Sequence, residues 1–133
     1  MAEPKADRER QARLLVVEDD PRIAGVLVKG LHKQGFAAES VESGGEAITR
    51  IEAGDVDVML LDLGLPDIDG LDVLRRLRER GSDLPVIVVT SRSDPRDRAT
   101  AGDLGVHTYL TKPFAWGDVW AAVRRCVVAH DQP

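Results

Sequence analysis

Residues 14–21 read Leu14-Leu15-Val16-Val17-Glu18-Asp19-Asp20-Pro21, an apolar run followed by three acids and a proline. The run is short, partly β-branched and apolar at every position, which suits a strand covered by helices on both faces. Asp20-Pro21 reads as a helix start, because a capping carboxylate precedes a residue whose missing N–H costs nothing in the first turn. A strand therefore passes into a helix through an acidic corner.

The rest of the chain repeats that unit. Further strand candidates are Phe36 to Val41, Val56 to Leu61, Val86 to Val89 and Val106 to Leu110, with segments of helical period between them. This alternation predicts an α/β fold, a doubly wound parallel sheet of (βα)5 type. Asp94-Pro95 repeats the helix-start pair, and Ser43 with Glu46 has capping-box spacing. Gly35, Gly54, Gly81 and Gly105 stand where left-handed helix stops are expected. Ile23, Val26, Leu27, Gly30 and Leu31 form one apolar stripe, and Leu71, Leu74 and Leu77 form another. The last helix, about Ala115 to Ala129, turns Val119, Val123, Cys126 and Val127 inward, with Trp116 and Trp120 beside them. Arg96 to Leu104 holds one large apolar residue and is expected to be the weakly packed, mobile element.

Composition bounds what such a fold can do. A chain of 133 residues carries one domain, expected over 13–129, with residues 1–12 as a flexible N-terminal tail and 130–133 as a short C-terminal one. No output domain is expected after it. The net charge of −5, from 18 basic and 23 acidic residues, speaks against direct nucleic-acid binding. No apolar run approaches the ~18 residues of a membrane span, and the charged N-terminus has no signal-peptide core, so a cytoplasmic location is expected. Cys126 is a single cysteine, which forbids an internal disulfide and any cysteine-based zinc site; His32, His107 and His130 lie far apart.

In parallel sheets of this kind ligands bind beyond the carboxyl ends of the strands. Those ends carry Glu18-Asp19-Asp20, Asp62, Thr90-Ser91 and Lys112-Pro113, while Glu42-Ser43 is assigned to capping. If the first and third strands are neighbours, Glu18, Asp19 and Asp62 converge, and such a cluster needs a compensating cation. Mg²⁺ suits it, since this ion takes one or two carboxylates and completes its shell with water and phosphoryl oxygens. Asp62 is then the candidate nucleophile toward phosphorus, Lys112 the point charge facing the transferring oxygens, and Thr90 a hydroxyl donor. Asp20 caps a helix, and Asp67 and Asp69 read as loop and helix-start residues.

At these positions the chain resembles the receiver domain of two-component response regulators, in its CheY-like form. The pieces are Leu14 to Asp20, then Asp62-Leu63-Gly64-Leu65-Pro66-Asp67-Ile68-Asp69-Gly70, then Val88-Val89-Thr90-Ser91, then Tyr109-Leu110-Thr111-Lys112-Pro113-Phe114. The resemblance implies a flavodoxin-like sheet of strand order 2-1-3-4-5. It implies that Asp62 accepts phosphate from a sensor histidine kinase or phosphotransfer protein, and that Glu18, Asp19, Asp62 and the Gly64 carbonyl bind Mg²⁺. It also implies a cis Lys112-Pro113 peptide and a switch in which Thr90 moves to the phosphoryl group and Tyr109 turns inward. Signalling would then pass through helix 4, strand 5 and helix 5 to a downstream target protein, with no turnover of an external substrate.

Interface candidates on that face are Arg98, Tyr109, Trp116, Asp118 and Trp120. The two tryptophans read either as edge-of-core packing or as a partner hot spot. The segment 67–76 resembles the winged-helix transcription-factor branch, which homodimerises through this face. Arg98 and Asp118 match one of that branch's ion pairs, whereas His107-Thr108 and Ala122 depart from it. The competing reading is a phosphorylation-independent interaction module on the same fold. A flavin carrier would meet three acids where it needs an anion cradle, a phosphatase would need a second acid at Gly64, and no P-loop occurs.

Overall fold

The computed structural model describes residues 11–131. Five parallel strands, β1 (Arg13–Val17), β2 (Ala37–Val41), β3 (Val58–Leu61), β4 (Val86–Thr90) and β5 (Thr108–Thr111), lie in the order β2-β1-β3-β4-β5. The helices are α1 (Pro21–Lys33), α2 (Gly44–Glu52), α3 (Gly70–Glu79), α4 (Pro95–Asp103) and α5 (Trp116–Asp131). Strand residues alternate between two cores, as pleating requires. Leu15, Val17, Met59, Leu61, Val86 and Val88 pack with α2, α3 and α4, whereas Leu14, Val16, Val58, Leu60, Ile87 and Val89 pack with α1 and α5.

The helix punctuation is as expected. Asp20, Ser43 and Asp94 accept from the backbone N–H groups of Arg22, Glu46 and Arg96, and the four helix-stop glycines all have positive φ. Three strands start later than their apolar runs, for reasons the backbone bonds supply. Phe36 N–H and Val106 N–H donate to Leu31 O and Ala101 O, finishing α1 and α4 rather than starting β2 and β5. Asp57 N–H donates to Arg13 O, and its carboxylate accepts from Arg13 N–H, so β3 begins at Val58.

Other expectations need correction. The inward face of α1 is Ala24, Leu27 and Leu31; Val26, placed on the stripe, is 52% exposed. Gln11 and Ala12 belong to the domain rather than to a tail, since Gln11 Nε2 donates to Gly35 O and Ala12 O accepts from Ala37 N–H. Residues 1–10, the rest of that tail, lie outside the described residues. At the other end α5 runs through His130 to Asp131, into the expected C-terminal tail.

The tryptophans change flank. Trp120 lies over Gly30 of α1, where a Cβ would come within 2.7 Å of its ring, and Trp116 stacks on Trp120 at 5.1 Å between centroids. With Val26, Lys29 and Lys33 they line a groove between α1 and α5. They do not join the surface of α4, β5 and α5, because Gly30 leaves a gap that the indole fills.

Candidate functional site

The register carries the acids to one place. Val17 pairs with Leu61, so the residues that follow, Glu18 and Asp62, stand side by side where β1 and β3 end. That is the point where strand order reverses, with β2 on one side of β1 and β3 on the other. Glu18, Asp19 and Asp62 each offer a carboxylate oxygen within 4.8 Å of the other two. Glu18 and Asp62 are buried, whereas Asp19 is exposed.

Lys112 follows β5, whose Thr111 pairs with Thr90 of β4. Its ammonium donates to Glu18 Oε1 at 2.7 Å and to Asp62 Oδ2 at 3.0 Å. The other oxygen, Asp62 Oδ1, accepts from the hydroxyl of the fully buried Thr90 at 2.8 Å and from Gly64 N–H at 3.0 Å. Thr90 thus engages Asp62 itself, a contact that residue spacing does not foreshadow.

The electrostatics follow from burial and these bonds. Burial works to raise the Asp62 carboxyl, but the donors Gly64, Thr90 and Lys112 outweigh it and hold the group below its ordinary value. Glu18 is pushed up, because its desolvation exceeds the help it receives from Lys112 and from Asp20 N–H. For Lys112, burial works downward, yet its two carboxylate partners prevail and raise it. Two buried carboxylates therefore share one ammonium, which leaves the cluster with a net negative charge. Together with the exposed Asp19, this all-oxygen set fits a hard divalent cation such as Mg²⁺. Cysteine and histidine ligands are absent from it, which fits zinc less well.

Neighbouring loops are fixed by backbone capping. Asp67 accepts from Gly44 N–H and Gly45 N–H, both at 2.9 Å, so the loop after Asp62 is clamped to the start of α2. Those two donors hold the Asp67 carboxyl below its usual range. Asp69 caps α3 through Leu71 N–H. Gly70 lies close to the Asp62 backbone: a Cβ there would come within 2.6 Å of Leu63 Cα and 2.7 Å of Asp62 O.

The structure brings together Glu18, Asp19, Asp62, Gly64, Thr90 and Lys112. Tyr109 stands apart, its hydroxyl donating to Arg92 O at 2.9 Å and its ring 4.4 Å below the Arg98 guanidinium. Asp118 is in the first turn of α5. The Lys112-Pro113 peptide is cis. Cys126 is buried and its thiol is pushed up to about 11, as suits an inert core residue. Sequence reasoning missed the clamp by Asp67 and a pairing of Arg92 with Asp69; the glycine doublet Gly44-Gly45 is the only trace of the former.

Residues 14–124 match the family described as response regulator receiver domain. Transcriptional regulatory protein TcrA of Mycobacterium tuberculosis is 38% identical over 112 residues, covering 84% of this chain and 44% of that protein. Transcriptional regulatory protein BasR of Escherichia coli is 37% identical over 119 residues, covering 90% of this chain and 54% of that one. The chain thus spans about half the length of these curated relatives. Among solved structures, the response regulator TrrA of Thermotoga maritima, in complex with Mg²⁺-BeF, aligns with a TM-score of 0.79 at 28% identity, covering 87% of this chain and 99% of that one. A CheY-like receiver domain protein from Methanospirillum hungatei aligns with a TM-score of 0.86 at 23% identity, over 91% and 97% of the two chains, which bears on the fold alone.

Proposed function

This chain belongs to the response regulator receiver family, and from that premise we propose that Asp62 takes a phosphoryl group from a histidine kinase or phosphotransfer protein in a Mg²⁺-dependent reaction. The observation that carries this reading is the Lys112 ammonium bridging Glu18 and Asp62, with the Thr90 hydroxyl on the second oxygen of Asp62. An Asp62 oxygen forms the bond to phosphorus as the bond from phosphorus to the donor's imidazole nitrogen breaks, and the imidazole leaves with that electron pair. The carboxylate is held ionised for this by its donors. Lys112 faces the charge that develops on the transferring oxygens, where a fixed ammonium in a desolvated site acts strongly.

Glu18, Asp19, Asp62 and the Gly64 carbonyl are the residues that would hold Mg²⁺, whose contribution is to neutralise the acids and the phosphoryl oxygens. The Thr90 hydroxyl then exchanges Asp62 Oδ1 for a phosphoryl oxygen, and Tyr109, already partly buried against the core, turns further into the space released. Arg98 rests on the Tyr109 ring, so that turn alters the surface of α4, β5 and α5, which carries Arg98, Tyr109 and Asp118. We assign signalling to this surface, through a target protein or a second copy of the chain. Trp116 and Trp120, on the α1 flank, fall outside it. Hydrolysis of the aspartyl phosphate returns the protein to rest, and no external substrate is turned over. Among the described residues no helix is long and apolar enough to cross a membrane, which supports a cytoplasmic setting. Transcriptional control belongs to the longer relatives and is not assigned here.

Two observations favour a second reading, a binding module indifferent to phosphate: Lys112 already compensates the acids in part, and no buried side-chain polar atom among the described residues lacks a partner. Backbone amide NMR spectra with Mg²⁺ and beryllofluoride separate the two. The phosphoacceptor reading expects Thr90 and Tyr109 to shift in wild type and to stay put in Asp62→Asn. Identical spectra in both proteins, with partner binding unaltered by the substitution, would favour the module.

A further inference from the structure

The loop that carries Gly64 runs from Asp62, beyond the end of β3, to Asp69, the cap of α3. It closes on one carbonyl. Leu63 O accepts both Leu65 N–H at 3.1 Å and Gly70 N–H at 2.8 Å, so the loop leaves and returns at a wholly buried residue. Gly64 stands just outside that root and is exposed, with its N–H on Asp62 Oδ1.

The outer part of the loop is tied elsewhere. Leu65 and Ile68 pack partly buried against the core, and between them Asp67 reaches α2, with Oδ1 accepting Gly44 N–H and Oδ2 accepting Gly45 N–H. One bond on each oxygen fixes the carboxylate in orientation as well as in place. The same bonds complete the start of α2. Ser43 Oγ takes Glu46 N–H at 3.2 Å and Ser43 O takes Ala47 N–H at 3.1 Å, so Asp67 supplies the acceptors for the two first-turn donors that Ser43 does not reach.

The glycine doublet is what lets the loop come so near. A Cβ on Gly44 would fall within 3.1 Å of Ile68 Cβ and 2.8 Å of Val73 Cγ2, and one on Gly45 within 3.2 Å of Asp67 Oδ2. Alanine favours a helix more than glycine does. Gly44 and Gly45 therefore give up helix stability and admit the loop that follows Asp62.

We propose that Asp67 is a positioning residue for the Mg²⁺ site: clamped to α2, it sets the stretch from Asp62 to Asp67, and with it the Gly64 carbonyl, before the ion arrives. The inference rests on the reading of Asp62 as a Mg²⁺-dependent phosphoacceptor with Gly64 among the groups that hold the ion. Mg²⁺ demands near-octahedral geometry, so an oxygen ligand on an unfixed loop loses affinity to the cost of ordering it. The size of the effect is bounded. Residues bonded directly to a metal's ligands are worth about 10- to 100-fold in affinity, and Asp67 is exposed and acts from three residues away, so its share is smaller.

Asp67→Ala and Asp67→Asn test this together. Both remove the charge, but asparagine keeps one acceptor oxygen for the α2 amides where alanine keeps none. One readout is the affinity for Mg²⁺ alone, by titration calorimetry on the folded protein. The other is the Gly64 amide resonance in Mg²⁺-free buffer. Asp67→Ala is expected to bind Mg²⁺ about threefold to tenfold more weakly than wild type and to displace the Gly64 resonance, with Asp67→Asn between the two on both measures. Equal weakening in both variants would assign the effect to charge alone and overturn the proposal. Wild-type affinity with an unmoved Gly64 resonance in Asp67→Ala would reduce the clamp to a cap of α2 and overturn it as well. In either case phosphorylation of wild type on Asp62 by acetyl phosphate leaves the phosphoacceptor reading standing. A graded loss of Mg²⁺ affinity in a protein that takes no phosphoryl group would instead keep this role for Asp67 and remove that reading, and a wild type that binds no Mg²⁺ would remove both.

Discussion

Lys112 is the only cation bonded to Glu18 and Asp62 among the described residues, and its removal leaves two buried carboxylates facing each other. Lys112→Met is expected to lower stability in Mg²⁺-free buffer by about 3 kcal/mol, the scale of breaking a buried ion pair. Added Mg²⁺ should recover part of that loss, because the cation then replaces the ammonium, and urea unfolding with and without the ion checks both statements. Phosphorylation of this variant should fall by about 100-fold or more. Asp67 and Asp69 give a pH dependence whose sign is fixed. Both carboxyls are held below their ordinary value, so each contributes stability that is present above the unfolded value and lost as pH falls through the folded one. Unfolding measured across the acid range should show that loss below about pH 4, shifted in Asp67→Asn and in Asp69→Asn. The charged residues of the site were legible in the sequence because each stands at or just beyond the carboxyl end of a strand. The Asp67 clamp was not, since its partners are backbone N–H groups, which carry no residue identity. The pairing of Arg92 with Asp69 was not legible either, since the two lie 23 positions apart and no local period links them.

Elements were legible where two signals coincide, an apolar run and a cap. β1, β3 and β4 are buried along nearly their whole length, and every helix stop glycine named from sequence has the expected backbone. Strand starts were less legible, because Phe36 and Val106 are apolar enough for a strand while their N–H groups close the preceding helix. The face of α1 was misjudged because a helical stripe fixes a period and not which residues along its margin meet a neighbour. Val26 lies at that margin, beside an indole pair that occupies the gap left by Gly30. Gly70→Ala tests how tightly α3 is set against Asp62. Its Cβ would meet main-chain atoms of Asp62 and Leu63, which cannot swing aside, so a loss of about 1–3 kcal/mol and slower phosphorylation are expected. Hydrogen exchange tests the weakness of α4. With only Ala101 buried, its amides should exchange faster than those of α3, which buries Leu71, Val73, Leu74 and Leu77. Equal protection of the two helices would show that α4 is held by more than its burial.

At the scale of the whole molecule, alternating strands and helices predict a parallel sheet, and the sheet predicts a site at its carboxyl edge. Strand order is a different matter. Periodicity does not distinguish one order from another, and the order 2-1-3-4-5 came from the resemblance to receivers, which β2-β1-β3-β4-β5 now bears out. That order is what makes β1 and β3 neighbours and so brings Asp62 to the adjacent pair Glu18 and Asp19, making one cluster. Everything functional depends on the cluster being able to accept a phosphoryl group at one of its members. The most direct measurement is intact-protein and peptide mass spectrometry after incubation with acetyl phosphate, with and without Mg²⁺, on wild type and Asp62→Asn. The account expects one phosphoryl group on Asp62 of wild type, formed only with the ion and labile to alkali, and none on the variant. No mass gain in wild type, or an equal gain in Asp62→Asn, would contradict it.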